Sequence, residues 1–308
     1  MRASTWVWIW LAQAIGGSTP ALTKLALDGM GPFGLVVARQ ILGTGFLLAL
    51  AVFGARARGG APARPAPWTR RDVALLLVLS WAGFALPQVL GALGLTLSTA
   101  THGALLSPLE PIGILLGAAL VLRERLGLPH LLAAGLGALG TLLIVLPSAA
   151  AGDRHAGHLG GDLIMAAGHL CWAIYTLAAK SLVARHDPLR VAILAGAISW
   201  LPLAPLALAE PFDPARALPA LGWVLLLAFL ASAVGTVAWN RALREVSAGT
   251  MAIFVFVQPV VGLAVGVLGL GEAVALPSLL GAALIVVGVA LATLRGERVA
   301  ARPAAEAS

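Results

Sequence analysis

Glu110 is the one acidic residue set well inside an otherwise apolar stretch, and Gln258 stands in the same relation to a second stretch. At about 1.5 Å of helical rise per residue, Glu110 lies roughly 18 Å and Gln258 roughly 16 Å from opposite faces of a bilayer. Each is followed by a proline, Pro111 or Pro259, which removes a helix hydrogen bond and frees a carbonyl. Polar groups at matched depth beside matched helix breaks suit a central solute site. The plainer alternative is a neutral carboxyl that hydrogen-bonds helices together. Burial favours the uncharged form, so Glu110 is also the carboxyl best placed to take up a proton on one side and release it on the other.

Further candidates surround these two. Gln13 and His169 sit about 10 and 12 Å from opposite faces, and His102 lies on the Glu110 stretch about 80° round the helix. Arg39, about 9 Å inside, keeps its charge and must snorkel outward or pair with an acid or an anionic solute group. Trp172, Tyr175 and Trp239 offer rings for stacking on a solute, or for packing. Lys24 and Lys180 fall within a turn of their stretch ends and read as snorkelling anchors. Glu124 and Glu272 read as caps or gate ion pairs, and Trp6, Trp8 and Trp10 as an interfacial belt. The segment Asp153-Arg154-His155 with His158 reads as an ordinary polar loop, so no metal site is expected.

These residues need a scaffold, and composition names its solvent. Of 308 residues, 60% are hydrophobic and 11% charged, with a mean hydropathy of +0.96. So few charges cannot coat a water-facing surface. Ten apolar stretches are long enough to span: about 6–27, 33–53, 72–93, 98–121, 128–147, 161–181, 189–209, 219–240, 247–270 and 275–294. Without strict alternation they are helices rather than barrel strands. The first stretch reads as a retained span, too long for a signal peptide. Cys171, alone in an apolar run, forms no internal disulfide.

The net charge of +7 is spread through short connections rather than gathered on a nucleic-acid face. With the N-terminus inside, sixteen Lys and Arg residues fall on inner connections, counting Lys180 and Arg190 at the stretch ends beside them, only Arg154 and Arg216 on outer ones, and Lys24 and Arg39 within stretches. That asymmetry places both termini in the cytoplasm of a multi-pass inner (plasma) membrane protein.

The chain also matches itself. At a shift of 148, residues 95–145 fall on 243–293, so that Pro111 meets Pro259, Glu124 meets Glu272 and Gly140 meets Gly288. At a shift of 156, Gln13 meets His169, Lys24 meets Lys180 and Pro32 meets Pro188. Five spans per copy is an odd number, so the second copy enters the membrane inverted. The expected fold is an all-α integral membrane protein of ten helices in two inverted five-helix repeats. The first repeat is 1–147, an external linker 148–160, the second repeat 161–294 and a cytoplasmic tail 295–308.

The residues Lys24, Pro32, Ala38-Arg39, Leu109-Glu110-Pro111 and Arg123-Glu124-Arg125-Leu126 carry a family resemblance. So do Cys171-Trp172-Ala173-Ile174-Tyr175, Lys180, Trp239-Asn240, Gln258-Pro259 and Gly271-Glu272. Over almost its whole length the chain resembles an EamA-type transporter of the drug/metabolite transporter superfamily. Gly16 departs from the pattern, standing where the family usually has the tryptophan that Trp172 supplies in the second half. The resemblance implies an export carrier for small metabolites or amino acids.

The expected partners are a small solute, protons and the bilayer, with no cofactor. An embedded enzyme would show HExxH, paired Asp-rich motifs or a Ser/His/Asp set at membrane depth; a nucleotide-driven pump would show GxxxxGK[ST]; none occurs. A channel or facilitator remains the competing class. A reporter fused after Ser308 is expected to read as cytoplasmic, and an external reading there overturns the orientation.

Overall fold

The helix starts are written in short polar signals. Thr69 caps one helix through a reciprocal box, accepting from the Asp72 amide at 3.2 Å while its own amide donates to the Asp72 carboxylate at 2.9 Å. Asp187 and Asp213 each precede a proline and accept from the amides of the following turn, at 3.0 and 3.1 Å for Asp187 and 2.9 Å for Asp213.

The computed structural model describes residues 3–58, 67–98, 103, 106–152, 159–270 and 276–305, and every regular element among them is helical. In chain order these are α1 (Ala3–Leu27), α2 (Pro32–Arg58), α3 (Arg70–Leu97), α4 (Leu109–Leu120) and α5 (Leu128–Gly152). Then come α6 (Leu159–Val183), α7 (Pro188–Ala209), α8 (Pro214–Glu245), α9 (Ala248–Val255), α10 (Val257–Leu270) and α11 (Leu276–Ala305). Six continuous helical stretches are long and apolar enough to cross a membrane: Pro32–Phe53, Arg70–Leu97, Leu159–Val183, Pro188–Ala209, Pro214–Glu245 and Ala248–Val265. The apolar parts of α4, α5 and α11 are shorter. This is a multi-pass membrane protein with its apolar side chains on both the inside and the outside: Leu116, Leu120 and Leu208 face outward, while Phe254, Phe256 and Met251 are fully enclosed.

Two helices are wound wide in the middle. Leu79–Ala85 of α3 and Ala228–Gly235 of α8 take π-helical hydrogen bonding. Such segments shift the register of side chains around a helix and concentrate at functional sites. The first packs on α6 and the second on α2, so each re-aims residues toward a helix that carries a candidate site residue.

Lipid tails are as apolar as leucine, so helix association leans on close packing and small residues. The tightest crossing joins α5 to α11. A β-carbon on Gly140 would lie 2.5 Å from the Gly281 carbonyl oxygen, and one on Gly281 would strike the Gly140 carbonyl. A turn or two away, a β-carbon on Gly288 would meet the Ala133 carbonyl at 3.2 Å. Gly140→Val is therefore expected to destabilise the protein by about 1–3 kcal/mol, the usual overpacking range. Gly135→Val, where the β-carbon meets open space, should stay within about 0.5 kcal/mol. Thermal unfolding of both variants in detergent checks this, and equal melting temperatures would remove the close approach as a constraint.

Candidate functional site

The structure brings the four central polar residues together in two pairs. Gln258 donates from Nε2 to Gln13 Oε1 at 3.0 Å, joining α10 to α1. Gln13 is fully buried, and its own Nε2 has no hydrogen-bond partner. The contact exists because of Gly16: a β-carbon there would lie 2.6 Å from the Gln258 Nε2. The missing aromatic at position 16 is thus replaced by space that the Gln258 side chain fills.

The second pair joins α4 to α6. His169 Nδ1 lies 3.9 Å from Glu110 Oε2, and its Nε2 is 3.2 Å from the Gly103 carbonyl oxygen. At 3.9 Å the imidazole and carboxylate are too far apart for a direct hydrogen bond, and a small side-chain rotation or one water closes the gap. His169 Nδ1 is buried without a hydrogen-bond partner. The two pairs thus differ in chemistry: one joins two neutral amides by a hydrogen bond, while the other sets an imidazole beside a carboxyl without one.

Both Glu110 and Gln258 stand in the first turn of a helix. α4 starts at Leu109 after Pro108, and α10 starts at Val257 after the break at Phe256 that ends α9. A proline in the first turn is tolerated because its missing amide would be unpaired there in any case. The Pro111 signal therefore marks a helix start, and Pro259 the restart after a one-residue break within the spanning stretch Ala248–Val265.

Arg39 does not reach the surface, and it meets no acid among the described residues. It is 5% exposed, and its Nε donates to Ser232 Oγ at 3.2 Å, from α2 to the π-helical segment of α8. Nothing in the sequence singled out Ser232, since a serine in a membrane helix ordinarily bonds its own preceding turn.

The aromatic candidates cluster in part. Trp172 and Tyr175 meet edge to face at 5.6 Å between centroids, and Phe84 of α3 packs on Tyr175 at 5.4 Å and Trp172 at 6.1 Å. Tyr175 is buried, with its hydroxyl donating to Asn240 Oδ1 at 2.9 Å, so it presents packing surface rather than a free polar tip. Trp239 is half-buried, and its Nε1 has no partner. Phe84 carried no signal, being one aromatic in an apolar run. Trp6 and Trp10 pack on Phe254 at 5.7 and 5.8 Å, and the Arg241 guanidinium lies 4.6 Å over the Trp8 ring. His102, Glu272 and the Asp153-Arg154-His155 loop with His158 lie outside the described residues.

Lys180 is engaged where a snorkelling anchor was expected. Its Nζ donates to the Leu243 and Val246 carbonyls at 2.7 and 2.6 Å, closing the C-terminal end of α8. Glu124 accepts from the Ala248 and Gly249 amides, both at 2.9 Å, closing the N-terminal end of α9. Arg123, in the left-handed region at φ 55°, turns the chain after α4 so that Glu124 reaches that helix. One turn between α8 and α9 is thus held by a cation on its carbonyls and an anion on its amides. Lys24, the repeat mate of Lys180, is exposed.

The EamA-like transporter family model matches residues 4–146 and 159–294. A probable terminal-alkyne amino-acid exporter of Streptantibioticus cattleyicolor is 29% identical over 301 residues, covering 96% of this chain and 95% of that protein. The uncharacterized transporter YetK of Bacillus subtilis is 27% identical over 298 residues, covering 96% and 88%. A solved crystal structure with 24% identity shares the fold at a TM-score of 0.76, covering 97% of this chain and 99% of that one.

Removing the Lys180 ammonium leaves two carbonyls unpaired, whereas Lys24 has no such role. Lys180→Met is expected to cost about 1.5–3 kcal/mol, as for hydrogen bonds to charged groups, and Lys24→Met within about 0.5 kcal/mol. Unfolding in detergent measures both, and equal losses would refute the clasp.

Proposed function

The chain belongs to the EamA-like transporter family, and from that premise we propose that it is a secondary active exporter of small metabolites, amino acids or drug-like solutes. In this reading it is built from two inverted five-helix repeats, 1–147 and 161–294, works by alternating access and is coupled to protons through Glu110. It lies in the inner (plasma) membrane with both termini in the cytoplasm, as the sixteen-to-two basic asymmetry supports. The amino-acid exporter among its relatives supports a zwitterionic or aliphatic solute.

The observation that carries the reading is the crossing of the two polar pairs. Gln13 and His169 are repeat mates, and so are Glu110 and Gln258. Each contact therefore takes one residue from each half: Gln13 with Gln258 and His169 with Glu110. Groups that bridge the halves at membrane depth are where rocking of one half against the other is felt. In this reading Arg39, held by Ser232, offers a guanidinium to an anionic solute group, while Trp172, backed by Tyr175, and Trp239 offer ring faces. His102, on the same stretch as Glu110, belongs to this proposed set by sequence position.

Of the two pairs, only Glu110 with His169 is made of an acid and a base, so in this reading the proton is carried there. A thermal-shift screen of metabolites supplies the solute, and flux is then measured in proteoliposomes. Glu110→Gln is expected to abolish accumulation driven by a pH gradient and to keep solute exchange, because the amide mimics the protonated carboxyl. Gln258→Ala should weaken solute binding with an unchanged pH profile. Gradient-driven transport by Glu110→Gln at the wild-type level would refute coupling through this residue. Absence of counterflow by the wild type would instead favour a channel.

A further inference from the structure

Away from the central pairs, two basic residues open the first turn of α3, against the usual preference. Arg70 and Arg71 follow the Thr69 cap, where the helix dipole favours acids. A local rule broken in this way points to a function that compensates. Arg71, Asp72 and Leu75 of α3, together with Ser181 and Arg185 at the end of α6, line a cavity of about 150 Å³. Arg70 is exposed on the same turn and does not line it.

Asp72 offsets only one of the two guanidinium charges at the cavity. Its Oδ1 accepts from Arg185 Nη1 at 3.1 Å; its Oδ2 accepts from the Thr69 amide at 2.9 Å and hydroxyl at 2.8 Å, and lies 3.3 Å from His186 Nε2. Both carboxylate oxygens are thus committed to protein donors. Arg71 has no hydrogen bond or ion pair among the described residues, and the Arg185 side chain remains 47% exposed. The lining holds two guanidiniums against one carboxylate, with a hydroxyl at Ser181 and an apolar wall at Leu75. Trp68 stacks flat on His186 at 4.0 Å beside it, and Arg190 sits 5.8 Å over the same Trp ring. An aromatic ring beside arginines at the end of spanning helices marks the headgroup level of a bilayer. Val78, about two turns along α3 from Arg71 and on the same side of the helix, is exposed and offers an acyl chain an apolar contact.

We propose that this cavity binds a phosphate group, that of an anionic phospholipid, with Arg71 and Arg185 holding the oxygens. Arginine's planar fork suits such oxyanions, and basic pockets between membrane helices take anionic headgroups. The site is independent of the solute pathway.

The test uses the full chain in detergent micelles, titrated separately with phosphatidylglycerol, phosphatidylcholine and sodium phosphate while tryptophan fluorescence reports the melting temperature. Phosphatidylglycerol is expected to raise it in the wild type and in Arg70→Gln. In Arg71→Gln the half-saturating concentration should rise about fivefold, the effect of one basic residue near an anionic surface. Arg71 has no partner among the described residues, so this variant tests binding without breaking the Asp72 contacts. Equal responses of Arg70→Gln and Arg71→Gln would overturn the site. Equal stabilisation by phosphatidylcholine would overturn the charge argument, and a full shift with sodium phosphate alone would overturn the lipid assignment.

Discussion

Hydrocarbon offers no hydrogen bonds, and that absence shapes every polar feature of this molecule. Backbone groups are satisfied within helices, so the described chain is helical wherever it is regular. Where a helix must end, a side chain takes over the orphaned groups. Glu210 accepts from the Phe33 and Gly34 amides at 3.0 and 2.7 Å at the start of α2, as Glu124 does for α9 and Lys180 for the carbonyls of α8. Charges in such places are structural because they replace water.

The same constraint singles out the groups that remain unsatisfied. Among the described residues, Gln13 Nε2, His169 Nδ1 and Trp239 Nε1 are buried without hydrogen-bond partners, as are side-chain atoms of Gln40, Thr44, Trp68, Gln88, His130 and His186. A buried polar atom left unpaired costs about 1–3 kcal/mol. Gln88 and Trp239 each follow a π-helical segment within about a turn, where the irregular winding shifts the register of the side chains after it.

Much of this arrangement was legible in the sequence, because a polar residue in an apolar run stands out by type alone. Glu110, Gln258, Gln13, His169 and Arg39 were all visible in that way. Which of them touch was hidden, since a repeat reveals mates and not neighbours; Gln13 lies against Gln258, the mate of Glu110. The π-helical segments Leu79–Ala85 and Ala228–Gly235 have no residue signature, so Ser232 went unseen as the partner of Arg39. Lys180 read as an anchor because its partners are backbone carbonyls, and every residue has one of those.

The seam between α5 and α11 carries a further consequence. Gly140 meets Gly281, and Ala133 meets Gly288. Under the proposed repeat, residue 133 is the counterpart of 281 and residue 140 the counterpart of 288. Each contact is therefore the other with the halves exchanged. This reciprocity is what an isologous interface has, where one surface patch is complementary to a second copy of itself across a twofold axis. Under that correspondence one glycine-lined patch serves both sides of the joint, so a bulky residue at Gly140 and one at the matching Gly288 would strain the same seam.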